Sequence, residues 1–157
     1  MKKVFVFIFI IICLFAACTS SVKNDLFNYI NVELERIMFL ETQALNNYKK
    51  IVSKDNYTYE ELYEVLTNET IPTYENFYNN LTKIAPVTKE VQQAHNYYKL
   101  GAQRQLQAFK ALKQGLKEKD REKLESVNKL LEESRKYMNE FQSRIVSLAK
   151  KHKLKFE

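Results

Sequence analysis

The scarcity of chain breakers constrains this sequence more than any other property: 157 residues contain two glycines and two prolines. Glycine supplies the positive-φ positions of tight turns and proline interrupts helices, so a chain almost without both reverses direction only rarely. Gly-rich phosphate loops, dinucleotide-binding turns, collagen-like repeats and β-rich folds with frequent tight turns are therefore excluded. Leu, Lys, Glu, Asn and Tyr dominate what remains, and the expected fold class is all-α. Two cysteines and two histidines leave almost no material for a metal centre or a thiol redox site, so neither metal ligands nor a cofactor are predicted.

The N-terminus has its own logic. Met1, Lys2 and Lys3 form a short positive region, and an apolar run from Val4 to Ala17 follows without a charge. Spanning roughly 30 Å of hydrocarbon takes about 20 apolar residues, so the run is too short for a permanent anchor and reads as a signal-peptide core. The tetrapeptide Phe15-Ala16-Ala17-Cys18 resembles the lipobox of bacterial prolipoproteins, whose usual pattern is Leu, a small residue, Gly or Ala, then Cys. Phe15 stands where Leu is preferred, and Leu14 lies one place early. The resemblance implies cleavage between Ala17 and Cys18, a diacylglyceryl group on the Cys18 thiol, and extracytoplasmic anchoring to the cell membrane. Cys13 leaves with residues 1–17, the mature chain keeps one modified cysteine, and no internal disulfide is possible.

Beyond Cys18 and a short polar leash over 18–23, residues 24–157 read as one domain. Phe27, Ile30, Leu34, Ile37, Ala44, Tyr48 and Ile51 recur at helical spacing and predict a helix from Asn24 to Ser53 that buries one stripe. Thr58 with Glu61 forms a capping box for a second helix, whose stripe of Leu62, Val65, Leu66, Phe77, Leu81 and Ile84 is crossed by Pro72; the helix is expected to kink or break there. Thr88 is expected to cap a third helix, with Val91, Ala94, Tyr98, Ala102, Leu106, Phe109, Leu112 and Leu116 inside. Lys117-Glu118-Lys119 is a very short connection, and Asp120 opens a fourth helix with a nearly unbroken heptad from Leu124 to Leu148. The architecture predicted is an elongated up-down-up-down four-helix bundle.

Charge is divided unevenly. Residues 18–85 carry 6 basic and 10 acidic side chains, a balance of −4, whereas 86–157 carry 17 and 9, a balance of +8. The basic half could lean on anionic lipid head groups or wall polymer, although Lys and Arg alternating with Glu more often decorate a solvated helix face. No nucleic-acid motif appears, and nucleic acid is not an expected partner.

The sequence presents none of the familiar catalytic constellations. The Glu-x-x-His motif of di-iron bundles is absent, because Gln92 precedes His95 by three positions and Ala149 precedes His152. No haem attachment motif, nucleophile elbow or zinc helix occurs, so no catalytic residue is assigned and no enzyme is expected. His95 reads as surface or half-buried and satisfied by water, and His152 as solvated. Glu41 occupies a stripe position between Ile37 and Ala44; Met38, Leu40 and Leu45 widen the stripe and leave Glu41 at its border. The most unusual local composition is Tyr57, Tyr59, Tyr63, Tyr74 and Tyr78 threaded with glutamates, a candidate contact surface if exposed and a core border if not.

Leu106-Gln107-Ala108-Phe109, the hairpin from Lys117 to Asp120, Lys129 to Lys136 and Leu148 to His152 make the mature part similar to small helical lipoproteins of Gram-positive bacteria. That likeness transfers no site residues. It implies a non-enzymatic, membrane-anchored binding or structural element at the cell envelope. The expected partners are the membrane, through Cys18, together with anionic wall polymer, lipid head groups or an envelope protein. The alternatives are a carrier of a small molecule or lipid between the helices, and a protective lipoprotein that blocks a toxin, phage or hydrolase.

Overall fold

The computed structural model describes residues 21–154, which form four helices and no strand. The signal segment 1–17, the Ala17–Cys18 junction and the first residues of the leash lie outside the described residues. Helix α1 covers 21–52, α2 59–81, α3 Lys89–Glu118 and α4 Arg121–Lys151. No described helix is long and apolar enough to cross a membrane.

Helix α1 is already formed at residue 21, the first one described, ahead of the expected Asn24, and Val22, inside the expected leash, is buried. The expected stripe also fails at its N-terminal end, where Phe27 is 55% exposed while Leu26 and Tyr29 are buried. The cause is a π-helical turn over Tyr29–Leu34. Its wider turn inserts one residue into the helical repeat, so a stripe extrapolated backwards at 3.6 residues per turn lands on the wrong side. A second π-helical stretch, Leu66–Thr70, lies in α2 just ahead of Pro72, and helical conformation runs on through that proline to Leu81.

Both short connections are built from side-chain caps. The Thr58 hydroxyl accepts from the Glu61 amide at 3.1 Å, and the Glu61 carboxylate accepts from the Thr58 amide at 2.8 Å, a reciprocal capping box. Between α3 and α4 a single residue, Lys119, takes the left-handed conformation at φ 53°, and Asp120 accepts from the Lys123 amide at 3.1 Å. The amide of Asp120 returns to the carbonyl of Gly115 at 3.0 Å, satisfying an end-of-helix acceptor.

The start of α3 departs from expectation. Thr88 stands at the cap position, but its side chain caps nothing. Asp25, from α1, reaches across instead and accepts from the amides of Val87 at 3.1 Å and Thr88 at 2.7 Å, and from the Thr88 hydroxyl at 2.5 Å. One helix therefore terminates another.

Helices α3 and α4 pack along their whole length, and the pairs Tyr98–Phe141, Arg104–Glu133 and Gly115–Leu124 show that they run in opposite directions. Small residues bring them together. A Cβ at Gly115 would lie 2.8 Å from Leu124, one at Gly101 would lie 3.0 Å from Met138, and the Ser134 hydroxyl donates to the Gly101 carbonyl at 2.9 Å. The core is threaded by a chain of rings: Tyr48 of α1 meets Phe109 of α3, which meets Tyr74 and then Phe77 of α2, then Tyr98 of α3, and finally Phe141 of α4. Centroid separations fall from 5.9 Å at Phe77–Tyr98 to 4.5 Å in the nearly parallel Tyr98–Phe141 stack, within the range where aromatic pairs add to plain burial.

Candidate functional site: an apolar groove floored by tyrosine

Over Tyr29–Val52, the backbones of α1 and α4 scarcely approach one another, in contrast to the long contact of α3 with α4. The space left is a groove of about 430 Å³. Its walls are Ile30, Leu34 and Met38 from α1 and Phe141, Ile145 and Val146 from α4, with Glu35 and Gln142 at the rim and Tyr98 of α3 as the floor. Met38 is 38% exposed and Val146 53%. The same 3.6-residue repeat that sends Ile145 inward places Val146 on its outer flank, so two adjacent apolar residues widen the stripe of α4 beyond what the core can cover.

Below the floor lies a polar knot. The Tyr98 hydroxyl donates to a Glu41 carboxylate oxygen at 2.6 Å and sits 3.1 Å from the Met38 sulfur; the Tyr74 hydroxyl approaches the other Glu41 oxygen at 3.5 Å. Glu41 is thus drawn inward, not left at the border of the stripe as its neighbours in sequence suggested. Burial holds its carboxyl above the ordinary carboxylate range, and the two tyrosine hydroxyls pull partly in the opposite direction. Both tyrosines are themselves shifted upward, by burial first and by the nearby carboxylate second.

The five tyrosines singled out from sequence do not form one surface. Tyr74 is fully buried and belongs to the ring chain of the core, which corrects its placement on a contact face. Tyr57 and Tyr59 are exposed, while Tyr63 and Tyr78 are half-buried. Tyr63 lines a larger, more polar depression with Glu75, Lys110, Lys113 and Lys117; Lys110 pairs with Glu75 at 2.6 Å.

The histidines require correction as well. His95 is 2% exposed, its Nδ1 shares a 3.1 Å hydrogen bond with the Tyr29 hydroxyl, and the two rings meet edge to face. Burial, with Lys99 nearby, pushes its pKa down to about 4, opposed by the Ile84 backbone, so the ring is neutral near pH 7. His152, expected to be solvated, is buried at the C-cap of α4. Among the described residues, no group of three or more His, Cys, Asp or Glu comes together to hold a metal ion.

No family model, curated protein or solved structure matches the chain. Its function is therefore argued from the groove and the residues around it. Met38 was legible in the sequence as widening its stripe, whereas Val146 was missed, its only signal being an apolar residue beside Ile145. What turns them into a wall is that the two helices carrying them stay apart.

Proposed function

We propose that this protein is a lipid-anchored, non-enzymatic binding protein of the bacterial cell envelope. In this reading it is an up-down-up-down bundle, with its second helix kinked at the π-helical stretch ahead of Pro72, that holds the apolar part of an amphiphile between its first and last helices. The observation that carries this reading is the apolar groove beside Met38 and Val146. Its volume falls in the range of ligand sites, and an exposed concave apolar surface with a polar group at its base is the usual form of one. Diacylation of Cys18, as the lipobox-like sequence implies, would place the groove near the membrane, since Ile30 follows Cys18 by only twelve residues.

An environment-sensitive neutral alkyl probe should bind the full chain, and the pair Met38→Gln and Val146→Asn should weaken it by about tenfold or more, as expected for losing the burial of two apolar side chains. Unchanged binding in the pair would remove the groove as the site.

The lysine row supports a second reading, contact with an anionic polymer or head group. Lys113 and Lys117 form no ion pair among the described residues and share one depression with Tyr63. Binding to anionic vesicles that weakens steadily with salt, and weakens further in Lys113→Gln with Lys117→Gln, would favour it.

A further inference from the structure

We propose that the amphiphile taken by the groove is cationic, with its alkyl part lying between Ile30 and Met38 and its protonated amine at the Tyr98–Glu41 end. This rests on the binding function proposed above and specifies its ligand class.

The argument is one of donors and acceptors. The groove lining contains one acid, Glu35, and no lysine, arginine or histidine. At the Met38 end, the polar atoms beneath the surface are the Glu41 carboxylate oxygens and the hydroxyl of Tyr98. The single Tyr98 proton is committed to Glu41 at 2.6 Å, and the Tyr74 hydroxyl points at the same carboxylate. What this end can offer a newcomer is therefore the lone pairs of the tyrosine oxygen, with the negative charge of the Glu41 carboxylate, itself outside the lining, directly behind them. An ammonium brings three donors and a positive charge to such a set. An alcohol brings one donor, and a carboxylate or phosphate brings none while meeting like charge.

Charge agrees with this reading. Neither Glu41 nor Glu35 forms an ion pair among the described residues, although glutamates elsewhere on the surface, such as Glu75 and Glu133, do. A half-buried carboxylate held only by two phenols is under-compensated, and the missing partner is a cation. Length fits too. From Ile30 to Met38 is eight residues, roughly 12 Å of helix, which suits a single alkyl chain of medium length rather than a two-chain lipid.

The test titrates the full chain, held in a nonionic amphipol, with octylammonium, octanol and octanoate, following displacement of the neutral alkyl probe. Octylammonium should compete about tenfold better than octanol, the size expected for one charge-assisted hydrogen-bonded contact, and octanoate should compete worst. Glu41→Gln should bring octylammonium to within about twofold of octanol. Because Glu41 is partly buried, Val146→Lys provides a second variant at an exposed position: both ligands lose the same apolar wall, but octylammonium should be weakened several-fold more than octanol. Equal competition by octylammonium and octanol in the unmodified chain, or competition by octanoate as strong as by the amine, overturns the cationic assignment and leaves the groove standing. Failure of all three ligands to displace the probe overturns both.

Discussion

The tertiary cap on α3 offers a sharp test of how this fold is held. Asp25 is 9% exposed and accepts three hydrogen bonds, two from the backbone amides of Val87 and Thr88 and one from the Thr88 hydroxyl. Asp25→Ala removes them all at once. Loss of a helix N-cap costs typically about 1 kcal/mol, and a hydrogen bond to a charged acceptor is worth about 1.5–3 kcal/mol. Val87 is 80% exposed, so water can take over part of the orphaned amide, and the bonds act together rather than additively. The expected loss is about 2–3 kcal/mol, with Asp25→Asn, which keeps one acceptor oxygen, costing about 1 kcal/mol. Urea denaturation followed by circular dichroism measures both. A double-mutant cycle with Thr88→Ala adds a second demand: the hydroxyl donates to Asp25 and caps nothing itself, so its removal should cost less once Asp25 is gone. If Asp25→Ala falls within about 0.5 kcal/mol of the unmodified chain, or if Thr88→Ala costs the same in both backgrounds, the cross-helix cap is not what stabilises the start of α3.

His95 should make the fold sensitive to acid. Its pKa is held down to about 4 in the folded chain against an ordinary 6.5, so the stability it contributes is full above pH 6.5 and is lost as pH falls towards 4, with a slope of up to about 1.4 kcal/mol per pH unit for one proton. Denaturation across pH 4–7 should show that slope, and it should flatten in His95→Gln; an equally steep slope in the variant would assign the acid sensitivity elsewhere. Lys119 takes φ 53° where glycine is at ease, so Lys119→Gly should raise stability by about 0.5–1 kcal/mol, and a loss on urea denaturation would mean that the Lys119 side chain contributes more than its backbone costs. Cys18→Ala should release the protein from cells into the medium, as read by fractionation; a variant that stays with the membrane would contradict lipid anchoring through that thiol.

Local chemistry makes a good part of the structure legible in the sequence. The Thr58–Glu61 box and the Asp120 cap depend on groups within a few positions of one another, and such interactions are legible from spacing alone; the connection expected over Lys117–Lys119 tightens to a left-handed turn at Lys119 after a helix that runs on to Glu118. The inner face of α3 was legible for the same reason, since an uninterrupted 3.6-residue repeat leaves only one stripe to bury. Phe27 was misplaced because a π-helical turn obeys a different repeat and nothing in Tyr29–Leu34 announces it. Glu41 and His95 were misjudged for another reason. Whether a polar side chain at the edge of a stripe meets water or a phenol is decided by the helix opposite, here by Tyr98 and Tyr74 for the carboxylate and by Tyr29 for the imidazole.

By itself, then, the order of residues determined an all-helical chain of four segments, the caps at Thr58 and Asp120 and most of the buried faces, because helical periodicity and local capping are short-range properties of the backbone. Only the tertiary structure decided that Asp25 closes the start of a helix more than sixty residues away, that tyrosines join the four helices through the core, and that α1 and α4 part to leave a groove. Those outcomes depend on which surfaces meet and how closely. Two helices with equally apolar stripes can close or stay open according to the bulk of a few side chains on a third.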